Sequence, residues 1–124
     1  MIRLPVLLMT AGTLLLGACS KAEPPVSFAG DVQPVLNARC GACHLPGQPG
    51  QEASGLSLES YDALMKGTKF GPVVIPGDAL SSALTMLIEG RADPSIRMPH
   101  GGTALPAEEQ KLIHDWVAQG AQNN

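Results

Sequence analysis

Aromatic residues are scarce in this chain: Phe28, Tyr61, Phe70 and Trp116 are the whole set among 124 residues. With so few large rings, a small domain makes a thin core by itself. Basic residues are also few. Eight Lys and Arg stand against eleven Asp and Glu, a formal net charge of −3 at pH 7. Binding nucleic acid needs clustered positive charge, and this balance excludes it. Lys66, Lys69 and Arg97 read as ordinary solvated charges. No segment alternates apolar and polar residues for long enough to mark a strand, and no internal repeat is visible. There are only three cysteines.

What is present begins at the N-terminus. Met1 to Ala18 carries one positive residue, Arg3, and then an apolar stretch through Leu7, Leu8, Met9 and Leu14-Leu15-Leu16. That stretch is shorter than the roughly 18 to 20 residues needed to span a bilayer as a helix, so it reads as an export signal. The run Leu16-Gly17-Ala18-Cys19 resembles the bacterial lipoprotein processing box, in which the cysteine is acylated and becomes the new N-terminus. The alternative is an ordinary cleaved signal with an incidental cysteine. The expected organisation is a removed signal over 1–18, a lipidated tether over 19–27 and one domain over 28–124. Ser20 stands where an aspartate commonly retains lipoproteins at the inner membrane, which favours the outer membrane in an organism that has one.

The other two cysteines belong to Cys40-Gly41-Ala42-Cys43-His44. Two thiols three positions apart can add to the two vinyl groups of one haem, and the following histidine then reaches the iron. This Cys-x-x-Cys-His spacing is the attachment signature of c-type haem. Three other readings compete with it. A Cys40–Cys43 disulfide suits an oxidising compartment. A thioredoxin-like pair would need a βαβ pattern, which is missing. A structural zinc wants four N or S ligands, and only His100 and His114 remain to join. Covalent haem suits the composition best, because a buried porphyrin supplies the apolar bulk that the few aromatic side chains do not.

The remaining pattern is helical. A first helix is expected from Asp31 as N-cap, with Pro34 in its first turn, running into the motif near Cys43. Leu45 to Gln51 is dense in turn formers and reads as loop. A short helix is expected over 59–65, capped by Ser57 or Ser60 and ended by Gly67. The stretch 71–77 is extended, and Asp78 reads as N-cap of a helix through Leu84 and Ile88 to Gly90. A polar loop follows to Leu105. The last helix starts at Pro106 and carries Leu112, Ile113, Trp116 and Val117 as one apolar stripe. The fold class is therefore all-α, with long loops.

The order of these parts resembles a mono-haem c-type cytochrome of the class I kind. Gly55-Leu56-Ser57-Leu58, Ser60-Tyr61-Asp62-Ala63-Leu64, Pro76-Gly77-Asp78 and Arg97-Met98-Pro99-His100-Gly101-Gly102 are similar to the small planctomycete-type cytochrome c domain, over roughly Phe28 to Ala121. The resemblance implies a small helical domain around one haem c, with the Met-Pro-loop methionine, Met98, as second axial ligand. The residues themselves also point to Met98. Met65 and Met86 fall among apolar neighbours, where methionine usually fills a core. His114 sits on the last helix as a half-exposed residue. Met98 lies in a loop of Arg, Pro and Gly with no helix face to cover. His100 is the rival distal ligand, standing where relatives often carry a second proline.

A His/Met pair leaves no open coordination site and raises the potential relative to bis-histidine. The expected role is electron transfer, with unidentified redox proteins as partners, at the periplasmic side of a membrane reached through the lipid. The alternatives are an electron-entry subunit of a larger oxidoreductase, a haem-based sensor or peroxidase-like protein, and a haem-free structural lipoprotein.

Overall fold

The computed structural model describes residues 23–124, so the signal segment and Cys19 lie outside the described residues. The described chain is helical, and its only β pairing is an isolated bridge between Thr68 and Gly71. Five α-helices follow in order: α1 (Gln33–His44), α2 (Pro49–Ser54), α3 (Tyr61–Lys66), α4 (Ala83–Ile88) and α5 (Ala107–Ala118). A π-turn over Phe28–Val32 leads into α1, and a 3-10 turn over Pro94–Ile96 interrupts the loop before α5.

The first helical segment begins earlier than Asp31. Ser27 is its N-cap and accepts a hydrogen bond from Gly30 N, while Asp31 reaches back to accept from Ser27 N at 2.9 Å. This is a reciprocal cap displaced by one residue through the wide π-turn. Asp31 thus serves the start of the helix from inside it. The extra turn buries Phe28, which a start at Asp31 would leave outside the helix, together with Val32.

A second difference concerns 45–51. The loop ends at Gln48, and α2 begins at Pro49, whose missing N–H suits the first helical position. Gly55 closes α2 in the left-handed region at φ 80°. α3 starts at Tyr61, two residues later than expected, because Ser60 and not Ser57 is its cap, the Ser60 hydroxyl accepting from Ala63 N; Gly67 terminates the helix as expected. Asp78 caps a turn rather than α4 itself, its carboxylate accepting from Ser81 N at 2.9 Å. The helix then starts at Ala83, one turn later.

The core gathers Val32 and Leu36 from the first helical segment, Leu58, Leu64, Ile88, and Ile113, Trp116 and Val117 from α5. α5 packs across the π-turn and against α4. Phe28, Tyr61 and Trp116 form the aromatic centre. Phe28 lies 5.2 Å from Tyr61 edge to face and 5.3 Å from Trp116, within the range where ring pairs add stability beyond burial. Both polar tips are satisfied: Tyr61 OH donates to Ala121 O, and Trp116 Nε1 donates to Gln122 O, each at 2.9 Å.

The residues before the π-turn are strapped to the C-terminal segment. Val26 N donates to Gln119 Oε1, Phe28 N to Asn124 Oδ1 and Ala29 N to Asn124 O, at 2.8 to 2.9 Å. The two described ends therefore share one pole of the molecule, and the Cys-x-x-Cys-His run ends α1 away from it.

Candidate haem-binding site

Cys40, Cys43 and His44 occupy the last turn and a half of α1. Residues three apart share a helix face, so both thiols address the same side. Their surroundings differ. Cys40 is half-buried and packs against the core, whereas Cys43 is exposed. Burial pushes the Cys40 thiol up to about 11, with neighbouring Cys43 and Glu109 adding to the rise. Both are free thiols. The His44 ring has its Nδ1 buried with no hydrogen-bond partner among the described residues.

α1 is held at this end by charge and backbone contacts. Arg39 makes a two-pronged ion pair with Glu109 at the start of α5, both contacts 2.8 Å. That hydrogen bond holds the Glu109 carboxyl below its ordinary value. Leu45 N closes the helix on Gly41 O, and Leu58 N donates to His44 O at 2.9 Å.

Met98 lies on a separate loop, after α4. The loop leaves α4 with Arg91 N bonded to Met86 O, and the Arg91 guanidinium donates to Leu80 O at 2.8 Å. Glu89 ties this corner together, at 2.5 Å from Arg91 and 2.8 Å from His114 Nδ1 on α5. Burial pushes the Glu89 carboxyl up, but the hydrogen bonds from Arg91 and His114 outweigh it, and the net shift is downward. His114 is thus engaged by the Glu89 carboxylate. The loop then returns, and Met98 N donates to Leu87 O at 3.2 Å. The Met98 side chain is half-buried against the core, and the Met98–Pro99 peptide is cis. His100, two residues on, is exposed. Met65 also packs against the core, from α3.

The donor set suits a porphyrin better than a bare cation. No group of three or more His, Cys, Asp or Glu gathers among the described residues to hold a metal ion. Two thiols on one helix face, an imidazole next to them with an unsatisfied nitrogen, and a half-buried thioether on a separate loop match the parts that a covalent haem requires. Two clefts among the described residues lie elsewhere, one beside Trp116 and one between α2 and α3.

The family profile described as Planctomycete cytochrome C matches residues 40–102, from the first thiol of the motif through the Met98 loop. The chain belongs to this family. It is a c-type cytochrome, its cofactor is covalently attached haem c, and the chemistry such a domain supports is one-electron transfer. Among solved structures, the fold is similar to part of a Kuenenia stuttgartiensis hydrazine synthase. The match has a TM-score of 0.52 and 20% identity, covering 80% of this chain and 16% of that one. The likeness supports the helical cytochrome fold. Comparison with curated proteins found no match. Among the described residues, no helix is long and apolar enough to cross a membrane.

The residue that sequence reasoning missed at this site is Gly50. A Cβ placed there would meet Cys43 O at 2.8 Å and His44 Cε1 at 3.1 Å, so α2 lies directly on the motif. Its six residues carry no buried apolar side chain, hence no periodic signal announced it.

Proposed function

We propose that this cytochrome is a single-haem electron carrier, held outside the cytoplasm by a lipid on Cys19. Cys40 and Cys43 form the thioether bonds, His44 is the proximal ligand and Met98 the distal one. The observation that carries the axial pair is the contrast in the 98–100 loop: Met98 is half-buried against the same core as Cys40, while His100 faces solvent. A thioether is a soft, weak donor, and with both axial positions filled the iron is limited to electron exchange. Methionine ligation sets a higher potential than a second histidine would.

Lipid attachment is supported by Leu16-Gly17-Ala18-Cys19 and by the short apolar stretch before it. The outer membrane is favoured by Ser20. Intact mass of the mature protein tests the anchor and the haem together. The expected mass is that of the acylated chain from Cys19 plus one haem, and Cys19→Ser should move the protein from the membrane to the soluble fraction. A mature product without visible absorbance, weighing no more than its acylated peptide, would end the reading.

A second reading, an electron-entry subunit of a larger oxidoreductase, is favoured by one observation: a solved structure that shares the fold does so over 16% of a much longer chain, of a hydrazine synthase. Co-purification in mild detergent separates the two. A free shuttle elutes alone, and a subunit brings its enzyme with it. A sensor or peroxidase-like role requires an open iron, so rapid and complete carbon monoxide binding by the reduced protein would favour it over electron transfer.

A further inference from the structure

A metal-ligating histidine almost always donates its second ring N–H to a carbonyl, a carboxylate or water, which fixes the ring plane and strengthens the ligand. No described residue does this for His44: its Nδ1 is buried and unpaired. What meets the ring instead is α2. A Cβ on Gly50 would stand 3.1 Å from His44 Cε1, the atom between the two ring nitrogens, 3.1 Å from Cys43 Cβ and 2.8 Å from Cys43 O. The last of these is backbone and cannot swing aside. Only a residue without a side chain lets α2 approach this closely.

The helix is fastened in place. The Ser54 hydroxyl donates to Gly50 O at 2.6 Å and accepts from Leu56 N at 3.1 Å. Lys69 N donates to Ser54 O at 2.9 Å, which pins the far end of α2 to the 68–71 turn. His44 O accepts from Leu58 N, so the chain on both sides of α2 is anchored to the motif.

We propose that α2 is a proximal clamp, and that Gly50 is a positioning residue whose bare backbone lets α2 close on the edge of the His44 imidazole and fix its orientation. This rests on the reading of His44 as an axial ligand.

The test uses the full-length, haem-loaded protein with Gly50→Ala and Ser54→Ala. Two signals are read: the midpoint potential, and the g-values of the ferric low-spin electron paramagnetic resonance spectrum. Helix propensity alone predicts that Gly50→Ala stabilises α2 and leaves both signals unchanged. The clamp predicts an upward shift in potential and altered g-values at unchanged haem content, because the added methyl displaces the ring. Ser54→Ala loosens α2 without crowding it and is expected to move the same signals by less. Wild-type potential and g-values in both variants would overturn the clamp and leave the ligand assignment standing. If Gly50→Ala does not mature, unchanged signals in Ser54→Ala overturn the clamp on their own. A His44→Ala protein that keeps the low-spin spectrum removes the ligand reading, and the clamp with it.

Discussion

At the level of single residues, the site separates two thiols that are identical in formula. Cys40 is pushed from its ordinary value of 9.0 to about 11, chiefly by burial. At pH 8 this leaves it roughly a hundredfold poorer in thiolate than an unperturbed cysteine, and the thiolate is the nucleophile. In haem-free protein, iodoacetamide at that pH is expected to label exposed Cys43 well before Cys40, as peptide mass mapping would record. Equal labelling rates would show that the local packing around Cys40 opens on the timescale of the reaction. Met98→Ala should open the iron. The reduced variant is expected to bind carbon monoxide rapidly, the oxidised variant to lack the sulfur-to-iron charge-transfer band, and the potential should fall as water replaces sulfur. Persistence of that band would transfer the ligand role to Met65 or Met86.

Among the elements, the corner where α4 meets α5 positions the Met98 loop. Glu89 holds it through Arg91 and His114, and its carboxyl is depressed below the ordinary 4.5. The contribution of a depressed carboxylate is complete above its unfolded value and disappears as pH falls through the folded one. Glu89→Gln should therefore lower the melting temperature at about pH 6, and the difference from wild type should shrink as the pH falls below the ordinary carboxylate range and the wild-type carboxylate is protonated. A constant difference across that range would mean that packing, and not charge, holds the corner. The aromatic centre stabilises the fold more strongly. Trp116 is almost fully buried at 1% exposure, and Trp116→Ala is expected to cost about 3–5 kcal/mol in urea unfolding. That is a large share of the stability of a small domain.

For the molecule as a whole, the parts that could be read from sequence are those whose signals are local. The Cys-x-x-Cys-His spacing, the Ser60 cap, the apolar stripe of α5 and the helical class all follow from neighbours a few residues apart. α2 could not be read this way. Pro46, Gly47, Pro49 and Gly50 signal a turn to any local rule, and the helix exists because its backbone lies on Cys43 and His44, a tertiary contact. The early start of the first helical segment was hidden for a related reason. Asp31 is a good cap by type, but the cap here is Ser27, and burial of Phe28 against Tyr61 and Trp116 decides between them. The placing of Met98 was legible only as an oddity, an apolar side chain in a polar loop, and the fold explains it by returning that loop to α4 through Leu87 O.

The stitching of Val26, Phe28 and Ala29 to Gln119 and Asn124 has a practical consequence for anyone wiring this domain to a surface. α1 alone carries the chain about 15 Å from Gln33, next to that seam, to Cys43, at 1.5 Å per residue. Immobilised on an electrode by its N-terminal end, the domain would stand with its cofactor-bearing tip turned outward, accessible to soluble reductants and poorly coupled to the metal beneath. A linker grafted near Cys43 would reverse that orientation.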